Sequence, residues 1–258
     1  MPAALAFDAH SYAAVSRHRP HQHDELQLSL VVGGAVAETV NGATEYSGAL
    51  SVVAKNPGVV HADEFGPAGA RIVRLTLRGR TLASLIDDPA RDTEWRWMHD
   101  VRAARPFLRL VGRVRASSGW FGADDADVVD LLAALTARQT NGSDGSPPAW
   151  LAQVIDEMRQ SWHAGMTVAA VARRAGVHPV YLARCVRRWY GTSVGAELRR
   201  LRLRSAAEAL SHQRQTVSDV AHTKGYSDEP HLCREFTRTL GLSPGRYRDS
   251  IHGLPYKD

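Results

Sequence analysis

The stretch from Thr167 to Arg248 repeats one local pattern, and this repeat decides the fold of the second half of the chain. One block, Thr167-Val168-Ala169-Ala170-Val171-Ala172, returns 49 residues later as Thr216-Val217-Ser218-Asp219-Val220-Ala221. Another block, Leu182-Ala183-Arg184-Cys185-Val186, returns 50 residues later as Leu232-Cys233-Arg234-Glu235-Phe236. Each copy predicts a short helix, a glycine turn and a second helix.

The local physical reasons are the same in both copies. Thr167 and Thr216 are residues that cap a helix start, since their hydroxyl oxygens accept a bond from a backbone N–H that the helix leaves unpaired. Gly176 and Gly225 permit the sharp turn that a side chain with a Cβ resists. A helix, a short glycine turn and a second helix form a helix-turn-helix, whose second helix can enter the major groove of DNA.

The repeat resembles the AraC/XylS family of transcription regulators over about residues 149–250. The resemblance is carried by Leu182-Ala183-Arg184, Gly191, Arg202-Leu203, Val220-Ala221, Gly225-Tyr226-Ser227-Asp228 and Gly241-Leu242-Ser243-Pro244-Gly245-Arg246-Tyr247-Arg248. The chain departs from the family pattern at His178 and Val186, where a capping Ser and a Phe are usual. The resemblance implies an all-α DNA-binding domain with two helix-turn-helix units joined by a long helix.

Composition and charge divide the chain into two unequal halves. The 258 residues suffice for two ordinary domains, and 44% hydrophobic and 23% charged residues are globular values. Residues 149–258 hold 17 Lys and Arg against 10 Asp and Glu, a net charge of +7, whereas residues 1–148 carry −2. Phosphate binding requires such an excess, although an arginine-rich solvated helix surface gives the same count.

The cysteines and the N-terminal sequence indicate the cellular compartment to expect. Cys185 and Cys233 are the only cysteines, and both fall in the predicted second helices of the two units. This placement argues against a disulfide framework or a zinc finger and favours reduced thiols. The sequence shows no charged leader and no long apolar run, so it predicts a cytoplasmic protein without a membrane partner.

The first 77 residues have the short alternating pattern of strands. Residues 26–32 lead to Gly33-Gly34, residues 35–40 lead to Asn41-Gly42, and residues 50–53 lead to Asn56-Pro57-Gly58, before a further strand at 71–77. Asn-Gly is a favoured two-residue hairpin turn. This order predicts a small β-barrel or sandwich.

This half resembles a cupin. His21-Gln22-His23, Gln27 and Gly34 have the spacing of the first cupin motif, and Gly48 followed by Pro57-Gly58-Val59-Val60-His61 resembles the second. In metal-binding members two histidines and a glutamate of the first motif hold an ion with the histidine of the second. The resemblance therefore implies His21, His23 and His61 as metal ligands, with the neutral Gln27 in place of the glutamate as a fourth.

Two interpretations of these histidines stay open. Residues two apart in a strand face the same side, so His21 and His23 could converge with His61 and hold Zn²⁺, Ni²⁺, Cu²⁺ or Fe²⁺. Alternatively, these side chains and His18 lie in a polar loop and bind no metal, or hydrogen-bond an organic effector. Glu25, Asp63 or Glu64 could replace Gln27 if the geometry allowed. In either case the barrel mouth that they line is the predicted sensor pocket.

The sequence predicts a domain boundary in its middle. Residues 79–139 are expected to turn helical, and 127–135 form an amphipathic helix that either packs on the barrel or makes a dimer interface. Residues 140–148 have the composition of an exposed linker. The predicted domains are a cupin-like sensor over 1–139, with its helical segment from about 79, and a DNA-binding domain over 149–258.

The second helix of each unit carries the predicted DNA contacts. The outward positions of the first are Val180, Tyr181, Ala183, Arg184, Arg187 and Arg188, and those of the second are Glu229, Pro230, His231, Cys233, Arg234 and Arg238. Leu182, Val186, Leu232 and Phe236 are expected to face inward. The family places Val180, Ala183 and Arg184, and Glu229, Pro230 and Arg234, at its base-contacting positions.

The chemistry of these residues suggests different roles. Arg184 is the best candidate for reading a base, because its guanidinium can pair with guanine through two bonds. Arg187, Arg188 and Arg238 fit phosphate contacts, which add affinity without sequence information. Glu229 could accept from cytosine or cap its helix, and capping is favoured.

Residues 194–210 predict a long connecting helix. Its arginines, Arg199, Arg200, Arg202 and Arg204, are expected to be mostly solvated, and they could also hold phosphates. Two readers on one rigid connector would reach successive major-groove segments about 34 Å apart.

The sequence as a whole favours a ligand-responsive transcription regulator that is not an enzyme. Its expected partners are double-stranded DNA and a small-molecule or metal effector, with RNA polymerase and a second copy of the chain as further candidates. A cupin enzyme with a catalytic metal on His21, His23 and His61 competes with this interpretation, but Gln27 weakens it. A protein-binding adaptor would explain neither the repeated arginine-bearing helices nor the charge division.

Overall fold

The computed structural model describes residues 5–77, 96–99, 101–116, 147–212 and 215–257. In these ranges the first half of the chain is a β-sheet domain and the second half is helical, as the sequence predicts. The strands are β1 (Leu5–Tyr12), β2 (Arg17–His21), β3 (Leu26–Val40), β4 (Ala43–Gly48), β5 (Val52–Lys55), β6 (His61–Leu77), β7 (Arg96–Met98) and β8 (Tyr256–Lys257).

The two longest strands, β3 and β6, form the spine of the sheet. They pair antiparallel from Leu26 opposite Leu77 to Val40 opposite His61. The sheet order is β7-β5-β3-β6-β1-β8, with β2 also on β6 and β4 also on β3. Trp97 of β7, at one edge of the sheet, and Tyr12 of β1, near the other edge, pack against one apolar cluster that contains Val31, Val36 and Phe65. The described strands therefore curl into a barrel.

Alternation along the strands separates an outer from an inner face. On β3, Leu26, Leu28 and Leu30 are buried against helices. Val31 and Val36 belong instead to a smaller apolar cluster with Phe65 inside the barrel. Both faces are covered, which explains why the first eight residues of this strand are all buried.

Asn41-Gly42 forms the predicted hairpin between β3 and β4. Both residues have positive φ, 50° and 80°, as a type I′ turn requires. The expectation of a turn at Gly33-Gly34 is wrong, because β3 runs through it with shifts of register. Gly34 has φ of 76°, and a Cβ there would lie 2.0 Å from the carbonyl oxygen of Gly69. The glycine permits close approach of two strands and does not end one.

The expectation that residues 79–139 turn helical is confirmed in one part and wrong in another. Helix α1 (Val101–Ala116) is present and buries Phe107, Leu108 and Val111. Residues 96–98 form β7 instead, with Trp97 opposite Val53 of β5, since aromatic residues suit an extended strand edge. The predicted helix at 127–135 and most of the 140–148 linker lie outside the described residues.

The second half forms the two predicted helix-turn-helix units around a connector. Its helices are α2 (Ala149–Gln160), α3 (Val168–Arg174), α4 (Pro179–Tyr190), α5 (Val194–Ser211), α6 (Val217–Thr223), α7 (Glu229–Leu240) and α8 (Pro244–His252). The units are α3 with α4 and α6 with α7, and α5 joins them.

The two units have different cores. The first packs with α2, burying Leu151, Ile155, Leu182 and Val186 in a cluster of its own. The second shares one cluster with the outer leucines of the barrel and with α1, and its members include Leu232, Phe236 and Tyr247. The strand β8 then adds to β1 in parallel. The second unit is therefore packed directly onto the sheet.

Side-chain caps start the helices, and one of them gives a test of local stability. The Ser193 hydroxyl oxygen accepts a bond from the N–H of Ala196 at the start of α5, at 3.1 Å. We expect Ser193→Ala to lower the free energy of unfolding by about 1 kcal/mol, because that N–H loses its partner. Urea unfolding followed by circular dichroism measures this, with exposed Ser218→Ala in α6 as the control. Equal stability of the two variants would contradict the prediction.

Candidate nucleic-acid interface and sensor site

The turns of both units have the predicted geometry. Gly176 and Gly225 have φ of 66° and 75°, a region that residues with a Cβ rarely adopt. Thr167 and Thr216 cap α3 and α6 by accepting from the N–H three residues on. His178, which replaces the usual capping Ser, caps α4 by accepting from the N–H of Val180 through Nδ1. The first unit thus keeps a cap despite its departure from the family pattern.

Helix α4 presents the predicted residues outward. Leu182 and Val186 are fully buried, so the helix face opposite them is turned to solvent. Val180 and Tyr181 are 59% and 50% exposed. Arg184, Arg187 and Arg188 are exposed and Ala183 is half-buried. The arrangement combines cations with apolar groups on one face.

Helix α7 repeats this arrangement with one correction. Leu232 and Phe236 are buried, Glu229, Pro230, Arg234 and Arg238 are exposed, and His231 and Cys233 are half-buried. The expectation that Glu229 caps the helix is wrong, because the Asp228 carboxylate accepts from the N–H of His231 and occupies that position. Glu229 is the first helical residue, and its carboxylate stays in solvent.

The connector helix corrects a second expectation. Arg199 is exposed, but Arg200 and Arg204 point at the sheet domain. The guanidinium of Arg204 donates to the carbonyl oxygen of Ala49 at 3.0 Å and to the hydroxyl of Ser51 at 2.7 Å. Burial lowers the pKa of Arg204 to about 10, so it stays charged at neutral pH. These two arginines are therefore structural contacts and not solvated cations.

Further hydrogen bonds join α5 and α8 to the sheet domain near the bend in β3. The Glu208 carboxylate accepts from the N–H of Gly34 with both oxygens, at 2.9 and 3.1 Å. Arg71 donates to the carbonyl oxygen of Ser211, and the Tyr247 hydroxyl of α8 donates to the carbonyl oxygen of Val32 at 3.2 Å. Sequence reasoning missed this contact, although Leu201, Arg204 and Glu208 lie at the spacing of one helix face.

A crevice lies between the rim of the barrel and the helices. As formed by the described residues it has a volume of about 1320 Å³. On the barrel side it is lined by His18, Asp63 and Tyr46, and on the helix side by Arg204 and Glu208. The predicted sensor mouth and the connector helix therefore face one open space.

The barrel mouth brings the three predicted histidines together. The ring centroids of His21 and His61 are 4.2 Å apart, and those of His23 lie 5.0 and 5.1 Å from them. The prediction that His21 and His23 face the same side of one strand is wrong for His23. Strand β2 ends at His21, and His23 lies in the loop that follows. His21 is opposite His61 in the sheet, and the loop carries His23 to the same point.

Charged groups surround this cluster. Asp63 lies two residues beyond His61 on β6, and its carboxylate is 3.8 Å from Nδ1 of His18. Lys55 pairs with Glu38 and lies 3.7 Å from Asp63. Burial, and then the charge of Arg74, lower the pKa of His23 to about 4. Burial, and then the charge of Lys55, lower the pKa of His61 to about 4, so both rings are neutral near pH 7.

Of the carboxylates considered as a replacement for Gln27, Asp63 lies beside the cluster, 4.0 Å from Nε2 of His61. Glu64 is on the outer side, paired with Arg17 at 2.8 Å. Gln27 is buried on β3 beside Lys55 and Thr76, and its role as a ligand stays a prediction. Among the described residues, three overlapping sets have the spacing of metal ligands: His21 with His23 and His61, His18 with His21 and Asp63, and Glu38 with His61 and Asp63.

Two predictions about the chain as a whole can be compared with the described residues. Cys185 and Cys233 are free and half-buried. In the part of the chain that the structure describes, no helix has the length and apolar character needed to cross a membrane.

Known proteins resemble the chain in both halves. A family described as "AraC-like ligand binding domain" matches residues 7–139, and one described as "Helix-turn-helix domain" matches residues 171–250. The transcriptional regulator GlxA of Rhizobium meliloti is 33% identical over 39% of this chain and 31% of its own length. The activator RclR of Escherichia coli is 32% identical over 40% of this chain and 37% of its own length. The match thus spans about a third of the length of these relatives.

One solved structure covers almost the whole chain. It is ToxT of Vibrio cholerae with a bound unsaturated fatty acid, which is 10% identical, covers 99% of this chain and 98% of its own, and has a TM-score of 0.38.

Proposed function

Because this chain belongs to the AraC family of transcription regulators, we propose that it binds specific double-stranded DNA and controls transcription in response to an effector held by its sheet domain. The observation that carries the proposal is the pair of helix-turn-helix units whose exposed arginines lie on α4 and α7. The relatives that it matches are named as transcription regulators, which favours this role over catalysis.

The residues proposed to touch DNA divide by chemistry. Arg184 and Arg234 occupy equivalent exposed positions of the two repeats and would read base edges, since a guanidinium can bond guanine at two acceptors. The exposed Val180 would meet a thymine methyl group. Arg187, Arg188 and Arg238 would bind phosphates and add affinity for any sequence. Glu229, in solvent and not engaged as the cap, would accept from a cytosine amino group.

Contacts between the halves supply a route for the signal. Helix α5 touches the sheet domain directly through Arg204 and Glu208. Since α5 also joins the two readers, a change at the barrel mouth that moves β3 would alter the angle between them. Coupling of this kind needs a contact whose free energy differs between two states. A second copy of the chain and RNA polymerase remain proposed partners.

The proposed function predicts a defined DNA site. Selection from random duplex DNA should enrich an asymmetric sequence with two conserved blocks about one helical turn apart, because each reader enters one major-groove segment. Footprinting of the full chain on the selected duplex measures the spacing. Enrichment of no sequence over the starting pool at about 150 mM salt, or of one block alone, would count against the proposal.

A further inference from the structure

We propose that an aromatic ring near the start of each reading helix binds a DNA phosphate, and that Trp150 of α2 holds the first of these rings in place. The rings are those of Tyr181 in α4 and His231 in α7. This inference rests on the proposed function and adds to it a role for α2, a helix outside both helix-turn-helix units.

The two rings occupy equivalent places in the repeat. Each comes directly before a buried leucine, Leu182 in α4 and Leu232 in α7. Residues three and seven positions further on lie on the same side of the helix as the ring, because a helix has about 3.6 residues per turn. In both units these positions hold exposed arginines. One face therefore carries the same series twice: Tyr181, Arg184 and Arg188 in α4, and His231, Arg234 and Arg238 in α7.

The length of this face fits the major groove. Seven residues of helix span about 10 Å, and the groove is about 12 Å wide. When the first arginine of each series reaches a base edge, the ring and the last arginine lie near the phosphates that border the groove on its two sides. Phosphate oxygens accept hydrogen bonds from neutral side chains as well as from cations. Tyrosine and neutral histidine each offer one such donor.

Two neighbours hold the exposed ring of Tyr181. The Trp150 ring stacks on it, with centroids 5.9 Å apart and planes inclined by 17°. Trp150 is anchored in turn, because it packs on the core cluster of the first unit. The pKa of Tyr181 is raised, chiefly by a side-chain hydrogen bond with Cys185 one turn further along α4, so the hydroxyl keeps its proton at neutral pH. A side chain already held in one place loses little conformational freedom on binding.

Different neighbours hold the ring of His231. The buried ring of Tyr226 meets it edge to face, with 5.2 Å between centroids. The Ser227 N–H donates to Nδ1 at 3.4 Å, and the Ser227 hydroxyl oxygen lies 3.1 Å from the same atom. A backbone N–H only donates, so Nδ1 accepts and the proton of the neutral ring is on Nε2. The Glu235 carboxylate, 3.9 Å from Nε2, favours that proton position. Nε2 is therefore the donor that His231 offers to a phosphate.

Substitutions that keep each ring and remove its donor test the phosphate contacts. We expect Tyr181→Phe and His231→Phe each to weaken binding at least about fivefold, because a hydrogen bond to a charged acceptor is lost. The loss should be similar for the selected duplex and for an unrelated one, since phosphates carry no sequence information. The slope of log affinity against log salt should stay unchanged, whereas Arg188→Ala should reduce it by about one. Fluorescence anisotropy of the full chain measures these affinities, with Tyr46→Phe, at an exposed tyrosine of the sheet domain, as the control.

A double-mutant cycle tests the positioning role of Trp150. Trp150→Leu should weaken binding to both duplexes, but it should have little further effect in the Tyr181→Phe background, because the two changes remove one contact. Trp150→Phe keeps an aromatic ring and should retain most of the affinity. The matched control is Trp162→Leu, at another half-buried tryptophan on the same core cluster, and it should leave both affinities unchanged. Circular dichroism checks that each variant is folded.

Several outcomes would overturn the inference. If folded Tyr181→Phe and His231→Phe bound as tightly as the unchanged chain, the phosphate contacts would be wrong. A loss confined to the selected duplex would make the rings base contacts instead. Equal losses from Trp150→Leu with and without Tyr181→Phe would show that Trp150 does not act through Tyr181. Selection of the duplex uses only the unchanged chain, so failure of the proposed function would be seen separately.

Discussion

A chain that carries both Arg184→Ala and Arg234→Ala is expected to bind its selected duplex about 30-fold more weakly, or worse, than the unchanged chain. Each guanidinium that bonds a guanine contributes roughly 1–3 kcal/mol of discrimination. The two residues lie on separate helices of separate units, so their losses should add. Both side chains are exposed, and the fold should therefore be unaffected. Fluorescence anisotropy at fixed salt measures the affinity.

The matched control changes charge equally at sites away from the reading helices. Arg173→Ala with Arg246→Ala also removes two exposed arginines of the same half, and it should weaken selected and unrelated duplexes by similar factors. The Arg184→Ala, Arg234→Ala pair should instead weaken mainly the selected duplex. If it weakened both duplexes equally, these arginines would be phosphate contacts and the assignment of base reading would be wrong.

The features that sequence predicted well have local causes. The caps at Thr167 and Thr216 and the Asn41-Gly42 hairpin each depend on a few consecutive residues. The buried positions on α4 and α7 follow from apolar spacing within one helix. Such patterns can be read without knowledge of which distant segments meet, and the repeat allowed each one to be checked against a second copy.

The features that sequence did not predict depend on contacts between distant residues. Gly33-Gly34 looked like a turn, but the approach of Gly69 decides that it is a bend in one strand. The sequence suggested a solvated Arg204, because it does not show that β5 and the loop before it lie beside α5. Asp63 could be named as a substitute ligand, and its place beside His61 follows from alternation along one strand, but only the pairing of β2 with β6 brings it to His18.

Arg204→Ala is expected to lower the free energy of unfolding by about 3 kcal/mol. The change leaves the Ala49 carbonyl oxygen without its donor, and each hydrogen bond from a charged group contributes about 1.5–3 kcal/mol. It also interrupts a chain of side chains, because the Ser51 hydroxyl that accepts from Arg204 lies 3.0 Å from Nδ1 of His99, whose Nε2 lies 2.8 Å from Glu45. Arg199→Ala, exposed on the same helix, should change stability by less than about 0.5 kcal/mol.

A double-mutant cycle separates this interface from a general loss of packing. If Arg204 acts mainly through Ser51, the variant with both Arg204→Ala and Ser51→Ala should be more stable than the sum of the single changes predicts, by at least about 0.5–1 kcal/mol. Additive losses would show that the two side chains contribute independently and would argue against a specific interaction between Arg204 and Ser51. The contacts of Arg204 with Ala49 and Ser51 also predict that Arg204→Ala keeps affinity for the selected duplex, since Arg204 faces the sheet domain. A folded Arg204→Ala variant that lost this affinity would place Arg204 among the DNA contacts, contrary to the geometry of α5 against the sheet.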